Sequence, residues 1–99
     1  MAEHYASGNW HVTKGKEKEF VEAWTEFLQW TRKDFPGMVH ASLIQDAGDS
    51  GHFVSISEWE DTASRDAWKK SPGFAKTFGA ARALCDEMSS IDGERRVTI

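Results

Sequence analysis

The sequence predicts an α+β fold in one domain over residues 1–99, with four antiparallel strands and helices on one face. Three observations carry this. Apolar residues recur at helical spacing over Lys16–Asp34, and Phe35-Pro36-Gly37 stops them. Two strand-like runs, Met38–Gln45 and His52–Glu60, flank the turn-rich loop Asp46–Gly51, as in a hairpin. A second helical region restarts at Ser71-Pro72, a favourable N-cap and first helical residue. The element order is strand, helix, strand, strand, helix, strand.

The first strand is expected over Tyr5–Thr13. Strand alternation puts Ala6, Gly8, Trp10 and Val12 on one face and Tyr5, Ser7, Asn9 and His11 on the other. Gly8 marks a bulge or a close approach to the backbone. In the first helix, Phe20, Trp24, Phe27, Leu28, Thr31 and Phe35 make the buried stripe, and Trp30 lies off it. Glu17 and Glu19 near its start and Arg32 and Lys33 near its end suit the helix dipole. On the third strand Phe53, Ser55, Ser57 and Trp59 share a face, with Val54, Ile56 and Glu58 opposite. Asp61 caps a short helix to about Lys70. After Ser71, the residues Phe74, Phe78, Ala81, Cys85 and Met88 line one face of a last helix, and Ile91–Ile99 closes the sheet through Arg95–Ile99.

Twelve basic and sixteen acidic residues give a net charge of -4, with no basic stripe for nucleic acid. No apolar run approaches a membrane span, and the start Met1-Ala2-Glu3-His4 lacks signal-peptide character. Cys85 is the sole cysteine, so no intrachain disulfide forms and a reducing cytoplasm is expected. Five Trp and six Phe exceed what one small core needs, which points to a ligand cavity or a subunit interface.

The predicted order is that of a ferredoxin-like βαββαβ layer. The sheet face without helices is expected to carry aromatic and β-branched residues, so two sheets should pack face to face as a barrel-like homodimer. The stretches G-N-W-H-V, E-F-V-E-A-W, F-P-G-M, F-V-S-I-S-E-W-E and A-W-K-K-S-P-G-F, spread from Tyr5 to Glu87, resemble the antibiotic biosynthesis monooxygenase family of the dimeric α+β barrel superfamily. That resemblance implies a dimeric barrel. It also implies one of several activities: cofactor-free oxygenation of polycyclic quinol-like compounds, quinol oxidation, or haem degradation. The haem-degrading branch carries an Asn on the first strand, a Trp after the third strand and a His ten residues further on. Trp68 matches the Trp. Phe78 stands where the His belongs, and alignment on Thr13-Lys14-Gly15 puts Gly8 rather than Asn9 at the Asn position.

The expected function is oxidation of an aromatic small molecule by O2 without a cofactor. The alternatives are a non-catalytic small-molecule-binding dimer and, third, haem binding. Trp10, Trp59, Trp68 and Phe78 are the candidate cavity walls, with small Gly8, Ser55 and Ser57 leaving the space; equally, the tryptophans can simply fill the core. His11 and Asn9 share a strand face, where they can hold a substrate hydroxyl and accept its proton, or make local hydrogen bonds on the dimer side. His40 and His52, with Asp46 or Asp49, lack a metal-ligand motif and read as exposed hairpin residues. Cys85 reads as a small apolar side chain. No phosphate loop, dinucleotide fingerprint or C-x-x-C is present.

Overall fold

β1 (His4–Val12) runs through the middle of a four-stranded sheet of order β2-β3-β1-β4, antiparallel throughout. The computed structural model describes residues 3–99. After β1 come α1 (Glu17–Asp34), β2 (Met38–Gln45), β3 (His52–Trp59), α2 (Thr62–Lys70), α3 (Pro72–Arg82) and β4 (Cys85–Glu94). This is the predicted ferredoxin-like order, its second helical region broken in two at Ser71. The break is built from caps. The Asp61 carboxylate accepts from the Ser64 N–H at 2.7 Å, and the Ser71 hydroxyl accepts from the Phe74 N–H at 3.2 Å, each satisfying an orphan donor of a first turn.

All three helices cover the face bearing Ala6, Gly8, Trp10 and Val12 of β1 and Phe53, Ser55, Ser57 and Trp59 of β3. From α1, Phe20, Trp24, Phe27 and Thr31 are buried against it. Trp30, off that stripe, lies on the start of α3, where a Cβ on Gly73 would come within 2.3 Å of its ring. Arg65 of α2 is buried and donates to the carbonyls of Tyr5 at 3.0 Å and Gly93 at 3.4 Å, tying α2 to β1 and β4. None of the helices among the described residues is long and apolar enough to cross a membrane.

The last strand departs from expectation. The helix ends at Arg82, Cys85 and Met88 belong to β4, and Arg95–Ile99 lie outside any strand. The cause is a bulge. Val12 pairs with Cys85 while His11 pairs with Glu87, leaving Asp86 as the extra residue. Cys85 and Met88, three apart, therefore both face the helices, and a bulged strand imitates helical spacing. Pairing along all of β1 overrides the poor strand propensity of C-D-E-M-S-S-I-D-G-E.

The other sheet face carries no helix. Val54, Ile56, Ile44 and Ile91 occupy its centre, and Ile44 and Ile91 are 58% and 67% exposed. Among the described residues its only aromatic ring apart from histidines is Tyr5, which donates to Glu58 at 2.8 Å and lies beneath the Arg95 guanidinium. The expected β-branched residues are there. The tryptophans and phenylalanines are all on the helix side.

Candidate functional site

A cavity of about 260 Å³ lies between sheet and helices. Its floor follows from strand register. Gly8 pairs with Ser55 on one side and Ser90 on the other, and the next row is Ser57, Ala6 and Asp92. Side chains two apart share a face, so these rows set a strip of small residues below the helices. At one end the row Phe53, Trp10 and Met88 raises a wall. The remaining walls come from Trp24, Phe27 and Leu28 of α1, Trp68 and Lys69 of α2, and Phe74 and Phe78 of α3. Small residues below and long aromatic ones around leave a gap that neither can close.

Hydrogen bonds fix two of these rings and the one behind them. The Trp10 indole donates to Ser55 Oγ at 3.0 Å, and Trp68 donates to Thr31 Oγ1, also at 3.0 Å. Thr31 in turn donates to the Phe27 carbonyl at 2.8 Å, so a helix backbone group orients the Trp68 wall. Trp59 donates to Ser57 Oγ at 2.9 Å and packs behind Trp68, their centroids 4.7 Å apart. Among the described residues, no acceptor meets the buried Nε1–H of Trp24; its ring stands edge to face against Trp10 at 4.8 Å. Gly8 explains itself here. A Cβ on it would come within 2.7 Å of Trp10 Nε1 and 3.0 Å of Ser55 Oγ, so the close approach inferred from the sequence is that of the Trp10 indole.

Of the four aromatic candidates, Trp10, Trp68 and Phe78 line the cavity, and Trp59 backs it. His11 and Asn9 do not join them. They face outward from the helix-free side, and neighbours on a strand cannot share a face with Trp10. They meet instead His52 and Asp46 of the hairpin, which the sequence did not place beside them. The His11 and His52 rings stack at 4.9 Å, and His52 sits between Asp46 Oδ2 at 2.9 Å and Asn9 Oδ1 at 3.0 Å. The hydrogen bond from His52, then that from the Gly48 N–H, pull the Asp46 carboxyl below its usual range. His40 is in the Glu58 row, towards the far end of β3 from His52. No group of three or more His, Cys, Asp or Glu among the described residues is placed to hold a metal. Burial pushes the Cys85 thiol up, which keeps it protonated and unreactive.

The haem-degrading arrangement does not fit. Phe78, stacked on Phe74 at 4.7 Å, offers no ligand atom, and any side chain at Gly8 would strike Trp10. Sequence reasoning also missed Thr31, Phe74 and Lys69 as parts of the site. A hydroxyl within an otherwise apolar helical stripe was the available signal for Thr31.

The sequence matches no curated protein. Its structure is similar to that of SnoaB, a cofactor-independent oxygenase from Streptomyces nogalater, at 22% identity and a TM-score of 0.85, covering 99% of this chain and 98% of that one. It is also similar to a conserved protein from Methanosarcina mazei Go1, at 18% identity and a TM-score of 0.86, covering 97% and 95%. An antibiotic biosynthesis monooxygenase structure matches at 20% identity and a TM-score of 0.81, covering 95% and 99%. These similarities fix the fold. The family model for antibiotic biosynthesis monooxygenase matches residues 4–80, well over half of the sequence. The chain belongs to the antibiotic biosynthesis monooxygenase family.

Proposed function

We propose that this protein oxidises an aromatic, quinol- or polyketide-like small molecule with O2 in the cavity above Gly8 and Ser55, the substrate supplying the electrons itself. The observation that carries the reading is an aromatic-walled cavity of about 260 Å³ in a chain of this family. A phenol conjugated to an activated methylene loses a proton to give a delocalised anion. That anion passes one electron to O2, and the radical pair combines at carbon. The hydroperoxide then loses water, so that CH2 and O2 become C=O and H2O. The protein's part is to keep the ring flat and dry and to supply a donor for the developing oxyanion. Ser55 suits that role, because its Oγ accepts from Trp10 and, among the described residues, its own hydrogen has no acceptor.

The working unit in this reading is a homodimer that pairs the helix-free faces, because Ile44 and Ile91 are otherwise left in water. The reading places it in the cytoplasm, with its single cysteine kept as a thiol. A second reading, binding without catalysis, draws on the cavity lining, which holds no His, Asp or Glu to take a proton. Oxygen uptake with a panel of quinols and anthrones, corrected for spontaneous oxidation, separates the two. Uptake above background that Trp68→Ala abolishes supports oxidation. Ligand binding with uptake at background for the whole panel establishes the binding protein instead.

A further inference from the structure

We infer that the cavity selects a flat aromatic anion of one or two rings, a phenolate, enolate or carboxylate, and that Lys69 is its counter-ion. The inference deepens the proposed function and rests on that reading for what happens after binding. Every other residue lining the cavity is uncharged, so Lys69 alone gives the apolar space a sign. Lys69 follows the wall residue Trp68 in the last turn of α2 and pairs across to Asp92 of β4. Asp92 extends the small-residue row of Ser57 and Ala6, and Ser90, one step along, is exposed with no hydrogen-bond partner for its hydroxyl among the described residues. The charged pair thus spans the gap between α2 and β4 beside the cavity. With its ring among Trp10, Trp68 and Phe78, an aromatic anion would turn its oxygen to this gap and take Lys69 from Asp92.

Size limits the ring system. An engineered apolar cavity of about 150 Å³ holds benzene. The cavity here, about 260 Å³, is less than twice that, so it encloses one ring or two fused rings. A third ring would project through the gap. The pairing also favours the ionised form of a phenol, which the oxidation needs.

The test is affinity measured without turnover. Binding of 2-naphthoate and of its neutral isostere 2-naphthamide would be followed by calorimetry and by quenching of tryptophan fluorescence, with competition between the two. The expected result is one shared site in which the anion binds about tenfold tighter than the amide. Lys69→Met should erase that preference while leaving the amide's affinity unchanged. Asp92→Asn, which frees the lysine, should tighten naphthoate binding alone. Equal binding of both probes by the native protein, equal loss of both in Lys69→Met, or no binding of either overturns the inference. The two ideas fail separately. A Lys69-dependent preference with no oxygen uptake refutes the oxidation and leaves the anion site. Uptake without any preference for anions does the reverse.

Discussion

Replacing Gly8 by Ala tests the geometry of the cavity floor, because two effects of opposite sign compete there. Gly8 lies in a strand without positive φ, so Ala would ordinarily stabilise by about 0.4–1 kcal/mol through a less flexible unfolded chain. Against this, the new methyl would stand 2.7 Å from Trp10 Nε1, 3.2 Å from Trp10 Cε2 and 3.0 Å from Ser55 Oγ. Trp10 is 1% exposed and wedged against Phe20, Trp24 and Phe78, so it has little room to retreat. Overpacking of this kind costs about 1–3 kcal/mol. Displacing the indole from Ser55 leaves a buried donor unpaired, at about 1–3 kcal/mol more. The clash wins, with a net loss of about 3 kcal/mol, which for a domain of this size lowers Tm by roughly 15 °C. Urea unfolding of Gly8→Ala, of Trp10→Phe and of the double variant measures it. Phe lacks the indole's pyrrole ring and its Nε1–H, which the methyl strikes, so the two sites should couple by more than about 1 kcal/mol. A stabilised Gly8→Ala, or a coupling near zero, would show that the indole does not lie over this glycine.

Three further outcomes are expected. Thr31→Val keeps the shape of the side chain but strands the Trp68 N–H, so unfolding should show a loss of about 2 kcal/mol, mostly absent in a Trp68→Phe background. His11→Ala should leave oxygen uptake unchanged and raise the monomer fraction in native mass spectrometry, since His11 faces the helix-free side; a large loss of turnover in an intact dimer would return the proton-accepting role to it. For Asp46, a carboxyl depressed in the folded state adds stability above its unfolded value of about 3.9, lost as pH falls through the lower folded value. Urea midpoints on the acid side of pH 4 should therefore fall less in Asp46→Asn than in the native protein; identical acid profiles would mean that the His52 hydrogen bond does not survive in solution.

Much of the fold was legible because its signals are local. Pro36 and Gly37 stop α1, Asp61 and Ser71 cap their helices, and alternation sorted β1 and β3 into the two faces they present. The bounds of the fourth strand were not legible, because their signal is the register of a partner 73 residues away. A bulge between His11 and Val12 sets Cys85 and Met88 on one face at a spacing that helices use. The site divides in the same way. Which aromatic residues gather round small ones could be read from strand parity. That Asn9 and His11 would be joined by His52 and Asp46 depended on how the hairpin loop closes over β1, which no spacing in the sequence records.

Strand parity also separates the two faces of the sheet. The face of β1 that holds Gly8 and Trp10 is given to the cavity; the face that holds Asn9 and His11 is left for another surface. Ten of the eleven Trp and Phe side chains join one connected aromatic network on the helix side, and the eleventh, Phe35, joins it through Trp30. The helix-free face sets Ile44, Val54, Ile56 and Ile91 across its centre, interleaved with Ser7, Ser42 and Ser89, with the His52 group at one end and the Tyr5, Glu58 and Arg95 group at the other. Exposed aliphatic residues between polar ends suit the proposed homodimer better than a pocket. Sheet-to-sheet pairing through that face would stiffen the floor of the cavity from behind without adding a side chain to it. Substitutions on the two faces should therefore be separable: those at Ile44 or Ile91 should act on assembly, and those at Trp68 or Lys69 on ligand affinity, with little coupling between them.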